Sequence, residues 1–450
     1  MISSDLAKAI SRANGARRDA LLAVRASLEA SDPRLMVRRS LGVEGSVVTV
    51  GNCRLDLDAF SRLVVVGGGK ASGLMASEIE RILGERISDG VVVVPESQSF
   101  LPRLRKVRFA RSTHPIPTER GVKATREMLR VLDGTGTGSL VVCLISGGGS
   151  ALMPLPVEGV SVQELGETTD LLLKAGAKIG EINCVRKHLS QVAGGRLVER
   201  TRGAKVISFV VSDVVGDDLS TIASGPTVPD PTTFLRAMRI LERHRVWNRI
   251  PAAIRRVVRS GVDGGRAETP KPGSRAFARV SNVVVGSNSD ACAAAAASLR
   301  RSGYRVHPFL GGITGEARVV GRRLARSAWE GRGRKKWAAV WGGETAVTVR
   351  GRGVGGRNQE VVLAAAIGLQ GARDAVVVSF GTDGVDGPTD AAGAVADSST
   401  CWRAKSRGLD PESYLENNDS YTFFKKLGDL VVTGPTGTNV TDVMMALSGG

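Results

Sequence analysis

Short runs of valine, isoleucine and leucine recur along the chain, several ending in glycine or aspartate and leading into stretches with helical spacing of apolar residues. Continuous apolar runs of this length read as strands buried on both faces. Their alternation with helices predicts an α/β fold with a parallel sheet covered on both sides. Strands are expected at Leu63–Val66, Gly90–Val94, Leu140–Ile145, Lys205–Val211, Asn282–Val285, Trp337–Trp341, Thr345–Val349 and Ala375–Phe380. Helices are expected over Gly121–Leu132, Val162–Lys174, Arg186–Arg200, Asp290–Arg301, Asn358–Ile367 and Ser420–Lys426. Leu6, Ile10, Leu21, Leu22, Val24 and Leu28 add amphipathic helix near the N-terminus. Arg255–Val280 is rich in Gly, Pro, Ser and Arg with little apolar periodicity, and reads as a boundary loop.

At 450 residues the chain exceeds one ordinary core, so two domains are expected: 1–254, a linker at 255–280, and 281–450. A hydrophobic content of 42% fits globular folding, and 56 glycines fit many tight strand-to-helix turns. No apolar run approaches the roughly 20 residues that cross a bilayer, so no membrane is expected as a partner. The five cysteines are scattered without Cys-x-x-Cys pairs, which argues against a zinc site or a disulfide framework and for a reducing compartment. The acidic residues among the first 32 argue against a secretory or transit segment, so the cytoplasm is the expected location.

The net charge of +18 raises the question of a nucleic-acid partner. Arginine is spread from Arg12 to Arg407 without interleaved aromatics, so no nucleic acid is expected. A positive field also draws in an anionic substrate.

Candidate chemistry lies at the predicted strand ends. Ser379–Asp390 carries Asp383, Asp386 and Asp390 among glycines directly after the Ala375–Phe380 run. Carboxylates at such an edge hold a hard cation or orient a reacting hydroxyl; a plain Asx-rich loop is the bland alternative. Val66-Gly67-Gly68-Gly69-Lys70 forms a strand, a glycine turn and a helix start, where backbone N–H groups and the lysine suit a phosphate. It lacks the Walker A spacing. A second turn, Ser146-Gly147-Gly148-Gly149-Ser150, repeats that logic, and a third, Ser212-Asp213-Val214, puts a carboxylate in place of the lysine.

Asn183, Arg186 and Lys187 are candidates for facing a phosphate from a helix mouth, against the alternative of a solvated helix face. His114, in extended chain before Pro115, is either a ligand contact or a satisfied loop histidine. Gly351, Gly353 and Gly356 match GxGxxG, but no acid follows at the spacing a dinucleotide site wants. What remains there is Arg357 at a helix start, suited to a migrating phosphoryl group if its loop meets that of Asp383.

These segments together resemble the glycerate 2-kinase family, whose C-terminal part is the MOFRL domain. The resemblance rests on VVGGGKAS (Val65–Ser72), STHPIPT (Ser112–Thr118), ISGGGSA (Ile145–Ala151), INCVRKHL (Ile182–Leu189) and VSDVVGDD (Val211–Asp218). It continues through ASGPTVPD (Ala223–Asp230), WGGE (Trp341–Glu344), GGRNQE (Gly355–Glu360), FGTDGVDG (Phe380–Gly387) and TGPTGTN (Thr433–Asn439). It implies a Rossmann-like three-layer N-terminal domain, a smaller α/β C-terminal domain (MOFRL at about 335–445) and an active site in the cleft between them.

It further implies transfer of a phosphoryl group from ATP, with Mg²⁺ or another divalent cation, to O2 of D-glycerate. In the family a lysine of the first glycine turn, an arginine of GGRN and an aspartate of GTDG are catalytic, which map onto Lys70, Arg357 and Asp383. Gly67–Gly69, Ser146–Ser150, Asn183, Arg186 and Lys187 are then expected to contact the nucleotide, with the Gly147–Ser150 turn and Asn183–Lys187 open alternatively to the substrate carboxylate. His114, Asp213, Asn358 and Asp386 are expected to contact substrate, with Asp213 and Asp386 as metal ligands. An NAD(P)H-dependent hydroxypyruvate reductase and a basic nucleic-acid binder on a kinase scaffold are the alternatives. A homodimer stays open as the assembly.

Overall fold

The valine-rich runs become the central strands of two sheets. The computed structural model describes residues 3–98, 100–307, 312–331, 336–372 and 374–449. Backbone contacts divide the chain into two units: one is Pro33–Val285, and the other joins the residues before Pro33 to those from Gly286 onward.

The Pro33–Val285 unit is built on a six-stranded sheet in the order Val107–Ser112, Asp89–Pro95, Arg62–Gly68, Ser139–Ser146, Lys205–Val211, Val280–Gly286. The first five of these pair in parallel. Numbered along the chain, the order is 3-2-1-4-5-6, the doubly wound Rossmann arrangement. Every residue of Ser139–Ser146 is buried, as a strand covered on both faces should be. Val64, Val66, Val91, Val93, Val141, Cys143 and Val206 form the core on one face with Met128 and Leu132. A separate three-stranded antiparallel sheet, Leu41–Glu44, Val47–Val50 and Cys53–Asp56, was not foreseen.

Arg255–Val280 is not a linker. The helix Ala252–Val262 runs through its start, burying Ile254, Val257 and Val258 against Phe234 and Ile240. Its remainder is pinned by Glu268, which accepts from Phe234 N (2.9 Å) and Lys271 Nζ (3.0 Å), and by Thr269, which donates to Asp230 (2.9 Å). Polar anchors replace apolar periodicity here, so composition misleads. The predicted helix Arg186–Arg200 is also displaced. The helix is Ile179–His188, and Gly194 and Gly195, both at positive φ, carry the chain to the short Arg196–Glu199 turn of helix.

The second unit holds a mixed sheet in the order Arg305–His307, Trp337–Ala346, Asp442–Ser448, Ala375–Gly381, Gly393–Asp397, Leu430–Val431, with Ile313–Glu316 also pairing with Trp337–Ala346. Asp442–Ser448 runs antiparallel between its two neighbours, so this sheet is not purely parallel. The separate strand expected at Thr345–Val349 is instead the tail of Trp337–Ala346 followed by a loop. The helix Gly15–Ala30 packs on Asn288–Arg301 and buries Leu21 and Val24. Arg17 from that helix donates to Asp397 (2.7 Å) and to Asp429. The first 32 residues thus fold with the C-terminal sheet rather than with the 1–254 region expected from sequence.

Candidate active site

In an open sheet of order 3-2-1-4-5-6, ligands bind beyond the C-terminal ends of strands 1 and 4, where the chain switches direction across the sheet. Here those ends are Gly68 and Ser146, in the adjacent strands Arg62–Gly68 and Ser139–Ser146. The third turn, beyond Val211, lies on the next strand, with Ser146 paired to Val211. The three turns therefore share one edge.

Their side chains converge on Gly147 and Gly148. A Cβ on Gly147 would stand 2.0 Å from Asp213 Oδ2. One on Gly148, whose φ is +79°, would stand 2.9 Å from His114 Nε2 and 3.4 Å from Lys70 Cγ. Lys70, His114 and Asp213 thus surround one glycine pair. Glycine is needed at both positions because these three side chains occupy the space a Cβ would need.

The other glycine turn works differently from expectation. Gly69 N donates to Val93 O (3.2 Å) and Lys70 N to Gly147 O (2.9 Å), so these N–H groups tie the turn to neighbouring strands rather than cradle a phosphate. A Cβ on Gly67 would lie 2.1 Å from Leu144 O, and one on Gly69 would lie 2.1 Å from Ser146 Oγ. Close strand approach accounts for both. Ser146 Oγ accepts from Ala71 N (3.0 Å) and joins the two turns. Of the first turn, the lysine side chain is what faces the candidate site.

The Asn183-to-Lys187 segment also divides. Lys187 is buried 3.5 Å from Asp230, whose carboxylate takes further hydrogen bonds from Thr232 and Thr269. Burial pushes the Asp230 carboxyl up, but the Lys187 charge and these donors hold it below the usual range. Lys187 is therefore a structural ion pair, not a phosphate ligand. Asn183 is buried and accepts from Ser224 Oγ (3.3 Å). Arg186, half-buried, lines a small cavity beside Ser150.

In the second unit, Trp337–Ala346, Asp442–Ser448 and Ala375–Gly381 are neighbours, and Gly343, Asp442 and Gly381 stand level across them. Arg357, first residue of the helix Arg357–Gly368, donates through Nε to Asp442 Oδ2 (2.6 Å) and through Nη2 to Asp442 Oδ1 (2.9 Å). Its Nη2 also lies 3.1 Å from Glu344. Burial works against the guanidinium charge, yet Asp442 and Glu344 hold its pKa above the ordinary arginine value. Asp442 is fully buried and was missed in the sequence, where it stands beyond the TGPTGTN motif with no acidic neighbour.

Asp383, half-buried, accepts from Val385 N (3.2 Å). A Cβ on Gly381 would lie 3.1 Å from Asp383 Oδ1 and 3.5 Å from Asp442 Oδ1, so the two carboxylates flank that glycine. The Asp383 loop and the Arg357 helix do meet, as anticipated. Their link is Asp386, which accepts from Asn358 N (3.0 Å), Asn358 Nδ2 (3.2 Å) and Gln359 N (2.8 Å).

Asp386 is thus a buried cap on the helix, with both oxygens engaged, and burial pushes its pKa up to about 6. This corrects the expectation of a metal or substrate ligand. Asn358 is likewise buried, its Oδ1 accepting from Ser379 Oγ. The GxGxxG match has a packing cause. Cβ atoms on Gly351, Gly353 and Gly356 would fall 2.3 Å from Asn417 O, 2.3 Å from Asp419 Cβ and 2.2 Å from Asp386 Cγ.

Among the described residues no group of three or more His, Cys, Asp or Glu side chains is placed to hold a metal. Mg²⁺ commonly binds through one or two carboxylates plus substrate phosphates, and Asp213, beside Lys70 and the Gly147 turn, is the carboxylate that fits such a role.

Comparison with known proteins identifies the family. A family profile described as a domain of unknown function, DUF4147, matches residues 19–259, and the MOFRL family matches residues 337–442. A D-glycerate 2-kinase of Thermotoga maritima is 41% identical over 432 residues, covering 94% of this chain and 96% of its own. A protein of Agrobacterium vitis with a provisional hydroxypyruvate reductase name is 39% identical over 395 residues, covering 86% of this chain and 87% of its own. The crystal structure of a glycerate kinase from Thermotoga maritima superposes with a TM-score of 0.83 at 39% identity, over 95% of this chain and 97% of that one. With two matched family profiles and relatives at this identity over nearly the whole length, the chain belongs to the glycerate 2-kinase family, with a C-terminal MOFRL domain.

Proposed function

We propose that this protein transfers the γ-phosphoryl group of ATP to the 2-hydroxyl of D-glycerate, giving 2-phosphoglycerate and ADP. The observation that carries the reading is the convergence of Lys70, His114 and Asp213 on Gly147 and Gly148 at the switch point of the sheet. Phosphoryl transfer asks a protein mainly for positioning and charge neutralisation, and this cluster supplies a cation and a carboxylate on one turn. Lys70 neutralises phosphate charge. Asp213 is the carboxylate suited to Mg²⁺, which when bound screens the phosphates. Arg357, held planar against Asp442, offers its remaining N–H to a phosphoryl oxygen. Asp383 orients the attacking hydroxyl and takes up its proton.

The reductase alternative needs a dinucleotide turn, and the glycines of its one formal match are filled by the packing of residues 417–419 and 386. No helix among the described residues is long and apolar enough to cross a membrane.

The test couples ADP release to NADH oxidation through pyruvate kinase and lactate dehydrogenase. ADP release that depends on D-glycerate is expected. NADH consumption with hydroxypyruvate alone, without ATP, would favour the reductase instead.

A further inference from the structure

Arg186 is set apart from its neighbours by what it lacks. Asn183 and Lys187, on the same helix, are committed to Ser224 and Asp230. The Arg186 guanidinium has no hydrogen-bond or ion-pair partner among the described residues, and burial alone pulls its pKa down. It lines a cavity of about 20 Å³ together with Ser150, Ser190, Ser224, Met153 and Leu155. That volume takes one small group, the size of a water or the end of a ligand. A half-buried charge without a counter-ion is costly unless an anion completes it.

Of the hydroxyls around it, that of Ser190 is left to donate to an acceptor. Ser224 Oγ donates to Asn183 Oδ1 (3.3 Å), which leaves Ser150 as donor in the 2.7 Å contact between the two serines. Ser190 Oγ already accepts from Val192 N and Ala193 N (both 3.1 Å), so its proton points elsewhere. The wall carrying Ser224 is held in an unfavourable backbone form. Ala223 and Ser224 have φ of +50° and +60°, fixed by hydrogen bonds from Gly194 N to Ser224 O (2.9 Å) and Gly195 N to Gly225 O (2.8 Å). Consecutive non-glycine residues in this region cost stability and cluster at ligand sites. A Cβ on Gly149 would lie 2.7 Å from that of Ala223, so this wall abuts the same glycine turn that gathers Lys70 and Asp213.

We propose that Arg186, with the Ser190 hydroxyl, binds the carboxylate of the small 2-hydroxy acid and thereby sets substrate specificity. The assignment rests on the glycerate kinase reading above for the identity of that acid. A cavity for one end group suits a carboxylate better than a triphosphate chain.

Arg186→Met removes the charge without breaking a protein contact, so its melting temperature should match wild type. Its KM for D-glycerate should rise about 10- to 100-fold, the worth of a charged hydrogen bond, while KM for ATP stays within about threefold. Calorimetry without nucleotide gives a second readout. Wild type should bind D-glycerate and not glyceramide, its uncharged amide, and the variant should not distinguish the two.

A rise in KM for ATP instead, or an active variant with unchanged KM for D-glycerate, would overturn the carboxylate assignment. Wild type that binds D-glycerate through Arg186 yet releases no ADP would sink the kinase reading alone. Wild type that neither binds nor phosphorylates D-glycerate would overturn both.

Discussion

Asp442→Asn is the substitution that probes the arginine site most sharply. It keeps the shape of a fully buried side chain but removes the charge and turns one acceptor into a donor facing the Arg357 guanidinium. Breaking a buried ion pair from one side costs about 3–5 kcal/mol when the survivor is left without compensation. Here the survivor is about one-third exposed and keeps Glu344 at 3.1 Å, and burial already strains the Asp442 carboxylate upward in pKa. Both facts lower the cost, to about 2 kcal/mol of unfolding free energy.

Turnover should suffer more. A guanidinium displaced by about 1 Å loses roughly 100-fold in rate, with little change in KM if it acts on the migrating group. Urea unfolding and steady-state ADP release measure the two effects. The double variant with Arg357→Lys should lose less than the sum of the singles, because the two residues act as a unit. An Asp442→Asn enzyme with unchanged stability and turnover would refute the positioning role.

Lys70→Met should leave the fold intact and lower kcat by about 100- to 1000-fold, the usual scale for a group that stabilises developing charge; an active Lys70→Met enzyme would remove that role. Arg17→Met severs the N-terminal helix from Asp397 and Asp429 and should destabilise the protein by about 1–3 kcal/mol, read by denaturant midpoint. A midpoint equal to wild type would mean that the helix is held by Leu21 and Val24 alone. Asp386 has a folded pKa of about 6 against an ordinary 3.8, so its contribution to stability is full below about pH 4 and is lost as pH rises through 6. Asp386→Asn should abolish that downward slope between pH 4 and 6; an unchanged slope would assign it to another group.

The sheet of the Pro33–Val285 unit was legible because its strands are continuous apolar runs ended by glycine. Lys205–Val211 agrees to the residue. The antiparallel strand Asp442–Ser448 was not foreseen, although it joins Trp337–Ala346 to Ala375–Gly381 and carries Asp442. Met444 and Met445 with Ala446 carry weak strand preference, so its place in the sheet comes from the pairing around it. The N-terminal helices were legible as amphipathic segments, but their partner lies some 270 residues away and leaves no local signal. Among candidate site residues, charge and spacing picked out Lys70, Asp213, Arg357 and Asp383. They could not separate a ligand from a structural role: Lys187 and Asp386 look as exposed in sequence as Arg186, and burial with Asp230 and with Asn358 decides otherwise.

The central claim is transfer to O2 of glycerate, and product regiochemistry tests it most directly. The purified protein would be incubated with D-glycerate, ATP and Mg²⁺, and the product passed to enolase without phosphoglycerate mutase. Immediate formation of phosphoenolpyruvate is the predicted result. ADP release whose product yields phosphoenolpyruvate only after mutase is added would place the phosphoryl group on O3 and contradict it.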